Sequence, residues 1–148
     1  MEQPLIRYAA SRDPNSNLGK TFLPQVKAVD VLITGNNADQ VIMPVDANCF
    51  VRAFARVKTV VDGTSPTVDI GIATDADALI ANSALDCETA NDVAQSVGGI
   101  FFPAAGNVTM DVGGTGSEAG EIKVFLEIYD LSALIATPHN TVTIAAAA

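Results

Sequence analysis

The chain has one histidine, His139, and two cysteines, Cys49 and Cys87. Neither cysteine belongs to a Cys-x-x-Cys pair, and a single histidine does not complete a usual zinc site. The cysteines read as small buried hydrophobes, with a disulfide between them left open by the sequence. His139 follows Pro138 in the tail, away from any apolar strand. A Ser-His-Asp centre would need a nucleophile on a strained turn such as Gly-x-Ser-x-Gly. Gly114-Thr115-Gly116-Ser117 has the wrong spacing for one. Gly19-Lys20-Thr21 resembles the end of a phosphate-binding loop, but Pro14 stands where that loop needs glycine. Asp75 and Asp77, with Asp86, Glu88 and Asp92 nearby, offer oxygens, yet without the spacing of a calcium loop. No acid pair is marked for glycoside hydrolysis. The absence of tryptophan leaves a sugar-stacking platform poorly supplied. The expectation is a protein that is not an enzyme, with no catalytic centre, metal or cofactor.

One stripe does have the composition of a binding surface. In 48–61, alternate residues are Phe50, Arg52, Phe54, Arg56 and Lys58, and aromatic residues and arginine are enriched at protein interfaces. Phe125 and Tyr129 add two aromatics on the polar face of the last strand. These seven residues are the interface candidates. They either meet an acidic protein partner or an acidic neighbour of the same kind, or lie under a second sheet or the loop 74–100.

Strands must position this stripe. Segments 28–34, 40–43, 48–61, 67–72, 100–102, 107–112 and 121–130 read as strands by side-chain alternation or by short apolar runs between turn residues. In 48–61 the opposing face is Cys49, Val51, Ala53, Ala55, Val57, Thr59 and Val61. In 121–130 Ile122, Val124, Leu126 and Ile128 face in. Asp62-Gly63-Thr64-Ser65-Pro66 predicts a hairpin-type turn, and Gly113-Gly114-Thr115-Gly116 a hairpin tip. Asp75-Ala76-Asp77-Ala78-Leu79-Ile80 has an acidic start followed by helix formers, and predicts a short helix or turn. The expected fold is all-β: an antiparallel, jelly-roll-like β-sandwich over 26–132 with one short helix. Proline-broken residues 1–25 form an extended N-terminal arm, and 133–148 a low-complexity tail.

Bulk composition fits this. A chain of 148 residues with 49 % hydrophobic content can bury a core without disulfides or metals. Its net charge of −9 argues against non-specific nucleic-acid binding. Residues 1–60 carry seven basic and five acidic groups, whereas 61–148 carry Lys123 and twelve acids. No apolar run is long enough for a membrane-spanning helix, and the N-terminus lacks the pattern of a signal peptide. Synthesis in the cytoplasm, without secretion, is expected, with no membrane partner.

Five stretches carry a resemblance: Val61-Asp62-Gly63-Thr64-Ser65-Pro66-Thr67-Val68-Asp69-Ile70-Gly71, Gly98-Gly99-Ile100-Phe101-Phe102, Asn107-Val108-Thr109-Met110-Asp111-Val112-Gly113-Gly114, Gly120-Glu121-Ile122-Lys123-Val124 and Tyr129-Asp130-Leu131. Together with 75–79 they resemble small structural proteins of tailed bacteriophages over about half the chain. The resemblance implies a virion role without distinguishing a cement protein from a head fibre or tail component; the protein's expected location is the outer capsid surface. Its expected role is a decoration or cement protein that binds the major capsid protein and itself as a homotrimer. A head fibre or tail component, including a receptor- or carbohydrate-binding β-module, is the alternative role.

Overall fold

The computed structural model describes residues 24–136 and 141–146. The N-terminal arm reading, Gly19-Lys20-Thr21 and His139 therefore fall largely or wholly outside the described residues.

Among the described residues, nine strands form two antiparallel sheets. They are β1 (Gln25–Leu32), β2 (Asn37–Val45), β3 (Cys49–Thr59), β4 (Thr64–Ile72), β5 (Asp75–Ile80), β6 (Val93–Gln95), β7 (Ile100–Phe102), β8 (Gly106–Thr115) and β9 (Glu121–Asp130). Among the described residues one short helix, α1 (Ser132–Ala136), follows. The five-stranded sheet runs β1-β9-β3, with β6 and β7 sharing the far side of β3. The four-stranded sheet runs β2-β8-β4-β5.

The alternation in 48–61 becomes the spine of the first sheet. Val51, Ala53, Ala55 and Val57 on β3 oppose Ile128, Leu126, Val124 and Ile122 on β9. Six of these eight are fully buried, and Ala55 is 2 % exposed. Small Ala53 faces large Leu126, and Ala55 faces Val124, so the pair fills space without crowding. Val68, Ile70, Val108 and Met110, all at zero exposure, close the core from the second sheet.

Two turns differ from the hairpins that the sequence predicts. β3 lies in one sheet and β4 in the other, so 60–63 crosses between sheets; 116–120 does the same between β8 and β9. Turn residues permit a tight reversal, but hydrogen-bond partners decide which sheet receives the next strand. Only β4–β5 and β6–β7 connect strands of the same sheet. The two crossings pack on each other. Gly63 has φ +99°, and a Cβ there would lie 2.6 Å from the Thr115 carbonyl. Asp62 clamps them: its carboxylate accepts the Glu118 and Ala119 N–H groups at 2.7 and 2.8 Å.

The helix expected at 75–80 is β5 instead. Asp75 and Asp77 are exposed while Ala76 and Ala78 are half-buried, a period of two that pairing with β4 selects over alanine's helix propensity. Both cysteines are buried and free. Cys49 opens β3, whereas the Cys87 carbonyl accepts from Val61 N–H beyond its far end. Eleven strand residues separate the two ends, roughly 35 Å, so no bridge joins them. The Cys87 thiol donates to the Pro66 carbonyl at 3.2 Å, and burial raises its pKa.

Leu126→Ala is expected to cost about 2–5 kcal/mol in urea denaturation, the usual range for a fully buried leucine. The N–H groups of Ala119 and then Glu118 hold Asp62 below the ordinary carboxylate range. A depressed carboxyl stabilises the fold above its unfolded pKa and loses that effect as pH falls through the folded value. Asp62→Asn should therefore lower the melting temperature at neutral pH, with the gap to the native chain closing in strong acid.

Candidate functional site

Because β3 buries its odd-numbered residues, its even-numbered residues stand on the sheet's outer face, away from the second sheet. Strand register arranges them in rows. Phe101, Phe50 and Tyr129 occupy the first row. Arg52 opposes Glu127 in the second. Gln95, Phe54, Phe125 and Ala28 form the third. Val93, Arg56, Lys123 and Asp30 form the fourth. All seven candidate residues thus share one surface, and the four-stranded sheet covers none of them.

The aromatic rows are ordered by contacts within the face. The Phe50 and Tyr129 rings lie 6.3 Å apart and tilted by 52°. Phe50 also covers Gly99, where a Cβ would strike the ring and the Val51 carbonyl. Of the loop 74–100, this is the part that underlies the stripe. Lys123 Nζ sits 5.7 Å from the centre of the Phe125 ring. The Tyr129 hydroxyl donates to Glu127, and that bond raises the tyrosine pKa. A shallow depression of about 390 Å³ lies between Phe54, Phe125, Arg56, Val93 and Gln95. Val93 is 66 % and Phe101 43 % exposed.

The cations divide into two kinds. Lys58 bonds Glu121 at 2.7 Å and lies 3.5 Å from Asp30, which Lys123 approaches at 3.7 Å. The Glu121 hydrogen bond raises the Lys58 pKa. This group ties β1, β9 and β3 together and leaves little net charge. Arg52 and Arg56 make no ion pair among the described residues; Arg56 donates to the Asn91 side chain at 2.6 Å. The positive charge offered outward is therefore that of the two arginines, flanked by aromatics.

The opposite surface has another character. Strands of the four-stranded sheet carry Asp39, Asp69, Asp75, Asp77 and Asp111 and no cation. Asp69 and Asp111 are directly opposed. Their carboxylates are occupied locally, Asp111 accepting from Asp39 N–H and Asp69 from Asn82. Among the described residues no group of three or more His, Cys, Asp or Glu side chains is arranged to hold a metal, and no helix is long and apolar enough to cross a membrane.

Sequence reasoning missed Phe101 and Val93 as members of the aromatic–basic face. Both come from short strands whose pairing with β3 has no signature in their own residues. No protein-family model and no curated protein matches the chain. Solved structures do. One chain in the acid-stable capsid structure of Helicobacter pylori bacteriophage KHP30 matches 74 % of this chain and 88 % of its own length, at 12 % identity and a TM-score of 0.56. One in the capsid asymmetric unit of cyanophage Pam1 matches 80 % of this chain and 94 % of its own, at 17 % identity and 0.55. At these identities the likeness is one of fold.

Gly99→Ala should displace Phe50 and cost about 1–3 kcal/mol, as overpacking does. Gly98, with open space where its Cβ would be, serves as the control: Gly98→Ala should melt close to the native chain.

Proposed function

We propose that this chain is a capsid cement protein, a structural component of a phage virion that decorates the outer shell and bridges subunits of the major capsid protein. The observation that carries this reading is the outer face of the five-stranded sheet. Five aromatic rings, Phe101 exposed and the other four half-buried, and two arginines without ion pairs among the described residues lie on one surface that the four-stranded sheet does not cover. Folded chains bury such groups against something, and aromatic–arginine clusters are the usual anchors of protein interfaces. The capsid structures that share the fold support a shell as the setting.

In this reading the aromatic–basic face docks on an acidic patch of the major capsid protein. The acidic sheet faces solvent and keeps neighbouring particles apart. Copies associate as a homotrimer, with the segment 1–25 as a shell-binding arm, so that the summed interface passes the roughly 2,000 Å² of durable assemblies. The reaction such a protein opposes is mechanical: added contact area at subunit junctions resists their separation.

Arg52→Glu combined with Arg56→Glu tests the docking. Both side chains point outward, so the variant should keep its β-sheet circular dichroism. It should fail to co-sediment with shells stripped of the native protein. Native-like loading by this variant would overturn the proposed docking face.

A further inference from the structure

A two-sheet sandwich has four lateral edges, and three of them are blocked here. The outer side of β3 is filled along its length. β7 pairs with Cys49–Val51, Ser96 exchanges two hydrogen bonds with Ala53, β6 pairs with Phe54–Arg56, and Asn91 and Asp92 bond Val57. Edge strand β2 has two register shifts and contains Pro44, which has no N–H to donate. Edge strand β5 is six residues long, pairs irregularly with β4 and opens with two aspartates. Bulges, prolines, short strands and charges are the devices that keep an edge from recruiting another strand.

The fourth edge has fewer of them: the charges of Lys27 and Asp30, but no bulge, no proline and no shortening. β1 pairs with β9 over eight residues with no register shift and no proline. Among the described residues it has no strand partner on its other side. Two apolar residues on its outer face, Val26 and Leu32, are 66 % and 70 % exposed. We propose that β1 pairs antiparallel with β1 of a second copy across a two-fold axis at Val29, joining two five-stranded sheets into one continuous sheet.

The register follows from the pattern. Even-numbered residues of β1 are on the outer face, since Asp30 opposes Lys123 and Ala28 opposes Phe125. A continuous sheet keeps even opposite even. Centred on Val29, Val26 meets Leu32 of the second copy, twice over, and Ala28 meets Asp30. Centred on Ala28, Val26 would meet Asp30 and waste its apolar surface. Centred on Asp30, the two Asp30 carboxylates would be directly opposed. The Val29 register is the one that joins the exposed apolar side chains. It leaves each Asp30 beside its own Lys58 and Lys123. On the inner face Val29 meets its own counterpart, next to the groove that Val31, Val41 and Ile42 line between β1 and β2.

One pair of edge strands covers less than the ~1,200 Å² of a stable standard interface. The contact therefore forms where copies are concentrated, as neighbours on a surface are. It goes beyond the proposed capsid docking and uses different residues, so the two fail separately.

Cysteine trapping in purified, concentrated full-length protein tests the inference without shells. Within one strand, residues 26 and 32 are about 20 Å apart, beyond the reach of an internal disulfide. Val26→Cys with Leu32→Cys should give a covalent dimer under mild oxidation. Val26→Cys with Asp30→Cys, out of register, should not. Equal cross-linking of the two variants, or none in either, would overturn the proposal. Light scattering at rising concentration provides the second readout. Val26→Lys with Leu32→Lys should abolish the concentration-dependent growth beyond the trimer shown by the native chain, and Val26→Lys with Leu32→Glu should retain it. Identical curves for these two variants would also overturn it.

Discussion

The β3–β9 pair is the constraint on which the rest depends. Its inner faces are dry, and the two strands run side by side for their whole length. Backbone pleating then leaves no choice about the other faces: each residue committed to the core sends its neighbours outward. The aromatic and basic residues of β3 could not be withdrawn from solvent without exposing Val51, Ala53, Ala55 and Val57. A one-residue slip would exchange the two sets and lose the core. The outer face is thus held in place by the hydrophobic effect acting on residues that no partner touches.

The same pairing sorts the charges. Arg52, Arg56 and Lys58 are on β3, Lys27 on β1 and Lys123 on β9, so every basic residue among those described lies on the five-stranded sheet. Four acids accompany them on its strands, whereas the other sheet has five acids and no base. Along the sequence this looks like a near-neutral first part and an acidic second part. In space the division is between sheets, and Lys123 joins the basic group because β9 lies between β1 and β3.

Much of this was legible in the residues. Strict alternation in 48–61 and 121–130 identified the buried and outward faces, including all seven proposed interface side chains, and the two-sheet antiparallel class followed from the number of such segments. Alternation reports which way a side chain points, but it carries no information about which strand lies alongside. That is why the crossings at 60–63 and 116–120 read as hairpins, and why Phe101 and Val93 were not placed beside Phe50 and Arg56. At 75–80 the residues were read by propensity, and the cross-strand hydrogen bonds to β4 outweighed a preference worth a few tenths of a kcal/mol per residue. The distinction between Lys58 and the arginines needed geometry as well, because Asp30 and Glu121 come from strands distant in sequence.

Counted over the strands alone, the charge difference between the layers contributes an electric dipole across the sandwich. Such a dipole exerts a torque in an external field before any atoms touch. Toward an acidic partner of the kind proposed, that contribution favours encounters with the five-stranded sheet forward. Dissolved ions damp that torque within about 10 Å at 0.1 M salt, so for the proposed docking the rate of arrival, more than the final grip, is where ionic strength acts.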